Sequence, residues 1–151
     1  MSTHTATVRW TASPDENYAK GQYSRAHAWH FDGGAVVAAS ASPTIVPAPW
    51  SDAAAVDPEE AFVASLSSCH MLFFLDFARR AGLVVEGYAD VAEGVMAKRD
   101  DGRMAITLVT LRPRVTWGGT APDADALAAL HHQAHEACFI ANSVTSEVVV
   151  K

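Results

Sequence analysis

The sequence predicts an α+β fold in which two main helices pack on an antiparallel sheet. Three patterns carry this prediction: short β-branched segments near the N-terminus, one long apolar helical stretch, and strand-like segments followed by a second helix. Half of the 151 residues are hydrophobic and 19% are charged, which is typical of one globular domain. We therefore expect residues 1–151 to form a single domain.

Three strands are expected before the first helix. Residues 5–12 are rich in β-branched and aromatic side chains, as strands are. Residues 24–31 and 35–42 flank an Asp-Gly-Gly sequence, which predicts a hairpin because these residues tolerate positive φ. Residues 42–56 carry three prolines, which cannot continue a central strand, so a long loop follows.

The first helix has a clear start signal. Asp57 is expected to cap it, Pro58 suits its first position, and Glu60 completes a capping box. The helix should run to about Arg80 and end at Gly82. Four apolar residues recur at the spacing of one helix face: Phe62, Leu66, Cys69 and Phe73. This spacing predicts that Cys69 points into the core.

The second half of the chain predicts another hairpin and a second helix. Residues 84–98 and 103–117 form the hairpin, and the apolar parity changes near Leu108, which indicates a bulge there or two buried faces. Pro113 favours an edge or bulge position. The remaining elements are a helix over 123–141, capped by Asp123 or Asp125 and ended by a left-handed Asn142, and a strand over 144–150.

Charge and hydropathy exclude two partner classes. The formal net charge is −6 and there is no cluster of Lys and Arg, so no nucleic-acid partner is expected. The N-terminus lacks a signal-peptide pattern, and no window approaches ~18 uninterrupted apolar residues, so we expect a cytoplasmic protein without a membrane partner.

The two cysteines admit several interpretations. In a reducing cytosol Cys69 and Cys138 are expected to be thiols, metal ligands or a catalytic pair, and both could also simply fill the core. His131, His135 and Cys138 share one helix face, which would suit a zinc site with Cys69 as fourth ligand. Without a second tight ligand pair this pattern is weak, so we expect no metal.

Several segments follow one another in a recognisable order. Residues 57–69 read Asp-Pro-Glu-Glu, then small and apolar residues, then Cys69. Residues 88–94 and 106–113 follow as strand-like segments, and residues 134–143 carry the second cysteine. This order resembles the OsmC/Ohr family of thiol-dependent hydroperoxide reductases, with the OsmC-like branch favoured.

The resemblance implies a set of catalytic residues. Cys69 corresponds to the peroxidatic thiol and Cys138 to the resolving thiol, which closes a disulfide with it. In that family a glutamate ten residues before the cysteine pairs with an arginine that activates the thiolate, and the count selects Glu59. Arg25 is the candidate arginine and Arg9 the fallback.

The position of Glu59 raises a geometric problem. Ten residues of straight helix span about 15 Å, too far for Glu59 to assist Cys69 of its own chain through an arginine touching both. The resemblance to this family implies an intertwined homodimer with sites at the subunit interface. We therefore expect a second subunit to complete the site.

The resemblance also implies the reactants. The substrate is an organic hydroperoxide, reduced to its alcohol, and no bound cofactor is expected because an external dithiol is the reductant: a lipoylated protein, a thioredoxin or a small thiol. The alternative is a non-catalytic protein of this fold that binds a small molecule or senses redox state. An apolar substrate lining is expected from Trp50, Phe62, Phe73, Phe74 and Phe139, and the alternative for most of these side chains is a place in the core.

Overall fold

The computed structural model describes all 151 residues and has the expected α+β composition, with eight strands and two main helices. The chain divides into two compact units, residues 1–61 and 62–151, and helix α1 (Pro58–Arg80) begins in the first and continues through the second. The prediction of one domain over residues 1–151 stays a prediction.

The first unit contains a three-stranded antiparallel sheet in the order β1 (Ala6–Arg9), β2 (His27–Phe31) and β3 (Val36–Ala39). The predicted hairpin is confirmed, with Gly34 at φ 88° in its turn. All three strands are shorter than expected. Pro43 and Pro49, which follow β3, lie in turns, where their fixed φ and missing N–H are tolerated.

The predicted capping box of α1 is confirmed. The amide N–H of Glu60 donates to Oδ1 of Asp57 at 2.7 Å, and the amide N–H of Asp57 donates to Oε2 of Glu60 at 3.1 Å. At the other end Gly82 has φ 76°, a conformation that side chains disfavour. Local sequence therefore sets both ends of this helix.

The predicted buried face of α1 is correct at Leu66, but its other residues are not fully buried. The helix buries Leu66, His70, Phe74 and Ala78, at the i, i+4, i+8, i+12 spacing. Cys69 and Phe73 lie beside this stripe and are half-buried. The two stripes differ by about 100° of rotation, and the packing of helix α2 (Ala124–Ala137) and the strands selects between them.

The second unit splits the expected long hairpin into two sheets. Strands β5 (Glu93–Lys98) and β6 (Met104–Leu111) pair as predicted, whereas β4 (Val85–Asp90) and β7 (Pro113–Trp117) form a separate two-stranded sheet. Strand β8 (Glu147–Val150) runs parallel to β6, so the sheet is mixed rather than wholly antiparallel.

The bulge predicted in β6 is confirmed. Leu108 pairs with Val95 and Ile106 pairs with Met96, so Thr107 is the extra residue in its strand. An extra residue turns the side chains that follow to the opposite face, which explains the change of apolar parity. Pro113 is the first residue of β7, where no ladder hydrogen bond is lost.

Helix α2 begins as predicted but ends earlier. Asp123 caps it, accepting from the amide N–H of Ala126 at 2.8 Å. The helix stops at Ala137, and Cys138 follows with φ −65° and ψ 111°. The left-handed Asn142 was a wrong prediction, because no residue other than glycine has positive φ, and residues 141–143 form a short 3-10 helix.

Two apolar clusters hold the second unit together. One joins Phe74 and Ala78 of α1 to Leu130 and Ala134 of α2, and the other joins Leu66 to the strand β6. By length and composition alone α1 could also cross a membrane, with a mean hydropathy of 1.5. That evidence is weak, since helices from the cores of water-soluble proteins meet the same criterion.

Candidate functional site

The two cysteines are neighbours in the second unit although 69 positions separate them in the sequence. Cys69 is half-buried on α1, whereas Cys138 is 1% exposed at the end of α2. Both are free thiols. Burial, and then a hydrogen bond with Cys69, raises the pKa of Cys138 to about 11. The structure thus brings together the predicted thiol pair in its reduced form.

The turn after α2 fixes Cys138. Its peptide N–H donates to the carbonyl of His135 at 3.2 Å, and its carbonyl accepts from the N–H of Asn142 at 3.0 Å. The N–H of Ala141 lies 3.4 Å from Sγ and points at it. Because the helix stops just before Cys138, its side chain is held in a compact turn against the thiol of Cys69.

A buried histidine pair lies beside the thiols. Nε2 of His70, on α1, lies 3.0 Å from Nδ1 of His131, on α2, and the two rings are stacked at 9°. His131 also stacks on Phe74, with ring centroids 4.4 Å apart. His70 is 1% exposed. The hydrogen bond satisfies one ring nitrogen of this buried histidine and links the two helices.

The histidines are kept neutral by their surroundings. Burial, followed by the nearby charges of His131 and His135, lowers the pKa of His70 to about 4. Burial likewise lowers the pKa of His131. The charge of Asp90 on β4 raises the pKa of both histidines, but the effect of burial is larger. Near neutral pH the pair therefore shares one neutral hydrogen bond.

Asp90 organises the polar groups next to this pair. Its carboxylate accepts from the hydroxyl of Ser67 on α1 and, at 2.6 Å, from the amide N–H of Arg112. The hydroxyl of Tyr88 is buried without a hydrogen-bond partner, and burial raises its pKa. Nδ1 of His70 and Nδ1 of His135 are also buried and unpartnered. Three buried polar side-chain atoms of the second unit thus lack a hydrogen-bond partner.

Sequence reasoning missed this histidine pair. The apolar stripe of α1 was assigned from hydrophobic residues alone, which favoured Cys69 over its neighbour His70. The spacing Leu66, His70, Phe74 was an available signal, because a histidine between two core positions points into the core.

The candidate arginine lies in the first unit. The guanidinium of Arg25 donates to the carbonyls of Gly21 and Tyr23, and its Cζ lies 3.6 Å from the centroid of the Tyr23 ring. It lines a cavity of about 380 Å³ together with aromatic side chains, among them Trp10 and Tyr18. No carboxylate of the chain forms an ion pair with it.

Glu59 is half-buried in the first turn of α1 and makes no ion pair within the chain. The Glu59–Arg25 pair therefore does not form inside one subunit and stays a prediction. Arg9, the fallback arginine, lies on the exposed strand β1. Continuous helix separates Glu59 from Cys69, as the 15 Å argument assumed.

The predicted aromatic lining is only partly assembled. Phe73 and Phe139 meet edge to face, with centroids 5.0 Å apart, and each lies close in sequence to one cysteine. Phe139 is 70% exposed. Phe62 packs against the cluster around Leu66, and Trp50 belongs to the first unit, where its carbonyl accepts from the N–H of Arg25. Phe74 is a core residue.

The candidate zinc ligands do not assemble. No group of three or more His, Cys, Asp or Glu side chains is arranged to hold a metal ion. Cys69, His135 and Cys138 thus form no ligand cluster. On α2, His131 is hydrogen-bonded to His70, and His135 lines a pocket.

An α+β fold with one thiol on a helix and a second thiol in the turn after the packed helix defines a class of two-cysteine thiol proteins. The model of the OsmC-like protein family matches residues 51–151, and the chain belongs to this family. None of the curated proteins compared with the chain matches it.

Solved structures agree with this family. An OsmC-like protein of unknown function from Vibrio cholerae is 53% identical, with a TM-score of 0.97 and coverage of 100% of this chain and 99% of that one. The organic hydroperoxide resistance protein OsmC of Legionella pneumophila is 18% identical, with a TM-score of 0.68 and coverage of 100% and 96%. The organic hydroperoxide resistance protein OhrB of Bacillus subtilis is 21% identical, with a TM-score of 0.66 and coverage of 99% and 95%. The last two share the fold.

Proposed function

We propose that this protein is a cysteine-based peroxidase that reduces organic hydroperoxides to alcohols. The observation that carries the proposal is the proximity of the reduced thiols of Cys69, on α1, and Cys138, in the turn after α2. Two structures of the same fold are named for organic hydroperoxide resistance, which supports this choice of substrate.

The half-buried Cys69 is the attacking group because the buried Cys138 is shielded from any substrate. The thiolate of Cys69 attacks the distal oxygen of the hydroperoxide, the O–O bond breaks, and the alkoxide leaves as the alcohol after taking a proton. The sulfur of Cys138 then attacks the sulfenic acid, and water leaves as the disulfide forms. An external dithiol reduces that disulfide and becomes oxidised itself.

The attacking thiol needs a cation. A thiol with an ordinary pKa of about 8.5 is only about 3% thiolate at pH 7. The dipole of α1 fades within its first turn, far before Cys69. A guanidinium such as Arg25, held by Glu59, would supply the missing charge and bind the peroxide oxygens.

A homodimer is part of the proposal. Arg25 and Glu59 have no charged partner in their own chain, and the most apolar window of α1 is only 22% buried there. Exposed apolar side chains include Val8 and Leu72, which are 63% and 61% exposed. A second copy would cover this surface and bring a glutamate and an arginine to each thiol pair.

The apolar side chains beside the thiols favour an organic substrate. Phe73 and Phe139 form an edge-to-face pair next to the two cysteines, and Phe139 is exposed enough to touch a bound molecule. Such a surface favours the alkyl group of an organic hydroperoxide, which hydrogen peroxide lacks.

The direct test is turnover of cumene hydroperoxide with dihydrolipoamide or dithiothreitol as the reductant. The wild type is expected to turn over repeatedly, Cys69→Ser to show no consumption, and Cys138→Ser to slow after the first turnover. Ser68→Ala, which changes the exposed neighbour of Cys69, is the matched control. If the wild type consumes no more than one equivalent with any dithiol, the protein is a non-catalytic sensor or binder.

A further inference from the structure

Cys138 has no direct route for losing its proton. Its side chain is 1% exposed, and its Sγ contacts the thiol of Cys69 and a backbone N–H. Forming a bond between the two sulfurs requires the proton of Cys138 to leave, because the thiolate is the nucleophile. Burial opposes that loss by raising the pKa of this thiol to about 11. A nearby base would remove the obstacle.

His135 is placed to be that base. It lies one helical turn before Cys138 on α2, and side chains three residues apart are neighbours on a helix surface. The φ of Cys138, −65°, is still helical, so its Cβ keeps the helical direction towards the preceding turn. Nδ1 of His135 is buried and has no hydrogen-bond partner. It is therefore free to accept a proton.

The ring of His135 also reaches the surface. It lines an open pocket of about 490 Å³ with His131, His132 and Lys151, and no Asp or Glu side chain lines that pocket. An imidazole with one buried nitrogen and access to a pocket can take a proton from inside and release it outside.

The other histidines of α2 are not equivalent to His135. Nδ1 of His131 is occupied by the hydrogen bond with His70. His132 is exposed and lies six residues before Cys138, on a different side of the helix.

We propose that His135 accepts the proton of Cys138 through a bridging water when the Cys69–Cys138 bond forms, and releases it to solvent in this pocket. The sulfur of Cys138 supplies the electron pair of the new S–S bond, and the leaving group departs from Cys69. In the peroxidase cycle that group is hydroxide, which takes up a proton and leaves as water. The role of His135 in turnover rests on the proposed function, but its chemistry needs only the two cysteines.

The test therefore avoids peroxide. Ellman's reagent reacts first with the more accessible Cys69, giving a mixed disulfide and one thionitrobenzoate. Cys138 then attacks that mixed disulfide and releases a second thionitrobenzoate at a rate independent of reagent concentration. We expect His135→Ala to slow this second phase at least about tenfold near neutral pH, since general bases contribute about 10²–10⁴-fold. The first phase should keep its rate.

Chemical rescue separates a base from a structural residue. Imidazole added to His135→Ala enters through the pocket and should restore the second phase, with no effect on the wild type. Gln133→Ala, an exposed change on the same helix, is the matched control and should behave as the wild type does. If His135→Ala does not fold, His135→Gln should show the slow second phase.

Two results would overturn the assignment of His135. One is a second phase within about twofold of the wild-type rate in a folded variant. The other is a slow second phase in folded His135→Ala that imidazole does not accelerate. If the wild type fails to turn over peroxide but its second phase depends on His135 as described, the peroxidase proposal fails and the role of His135 stands.

Discussion

Nε2 of His70 lies 3.0 Å from Nδ1 of His131, and this hydrogen bond joins the two helices that carry the cysteines. His70 directly follows Cys69 on α1, and His131 lies two turns before Cys138 on α2. In this hydrogen bond one nitrogen donates and the other accepts. The bond therefore requires that only one of the two nitrogens is protonated. Protonating both rings breaks it, which makes the alignment of the thiols sensitive to acid.

Stability is expected to fall on acidification because of this pair. The pKa of His70 is lowered from 6.5 to about 4 in the folded protein, so between those values the unfolded chain binds more protons. The stabilising contribution is complete above about pH 6.5 and is lost progressively towards pH 4. We expect about 2 kcal/mol of unfolding free energy to be lost over this range, measured by urea unfolding.

Carboxylates also titrate in this range, so the His70→Asn variant is the control. Its unfolding free energy should depend less steeply on pH between 6.5 and 4 than that of the wild type. Equal slopes for the two proteins would contradict the assignment to His70.

Arg25 is expected to activate Cys69 in the assembled dimer. Arg25→Gln removes the cation that favours the thiolate, so alkylation of Cys69 by iodoacetamide at pH 7 should slow about tenfold or more. The measurement is best made in Cys138→Ser, so that one thiol reacts. Arg9→Gln, on the exposed strand β1, is the control for net charge and should alkylate at the wild-type rate. The reverse pattern would make Arg9 the activating residue.

Cross-subunit assembly predicts the behaviour of mixed dimers. When a Cys69→Ser subunit pairs with a Glu59→Ala subunit, one site has an intact thiol facing an intact glutamate of the partner, and the other has neither. About half of the wild-type activity should return, although each parent homodimer has little. Differently tagged subunits allow the mixed dimer to be isolated and assayed. Inactivity of an isolated, folded mixed dimer would disprove the sharing of sites.

Phe139 is expected to affect substrate choice without affecting stability. Its ring is 70% exposed and contacts Phe73 edge to face, so truncation removes little buried area. In Phe139→Ala the KM for cumene hydroperoxide should rise about fivefold or more, on the scale of 1 kcal/mol of lost apolar contact. The rate with hydrogen peroxide and the midpoint of thermal unfolding should stay close to wild-type values. Equal losses for both peroxides would exclude a lining role.

Local sequence signals predicted much of the fold. The capping box of Asp57 and Glu60, the Asp-Gly-Gly hairpin and the bulge near Leu108 were all correct, because each depends on a few adjacent residues. The end of α2 was not, since apolar residues continue past Cys138 while the chain turns to place its thiol against α1.

The buried face of α1 at the candidate site could not be predicted from such local signals. Phe73 and Phe74 are both apolar, so helical periodicity allows either of two neighbouring stripes to face the core. Contacts with His131 and the rest of α2 turn Phe74 and His70 inward and leave Cys69 at the edge. The spacing Leu66, His70, Phe74 within α1 is compatible with this arrangement, but it does not by itself choose between the two stripes.

The sequence by itself determined the α+β class, the ends of α1 and the position of Cys69 on that helix. Only the tertiary structure decided that Cys138 lies near Cys69, that His70 pairs with His131, and that His135 lines an open pocket. The physical reason is that caps and turns are satisfied by residues a few positions apart. The contacts of the site join residues more than sixty positions apart, and only the packing of the whole unit selects them.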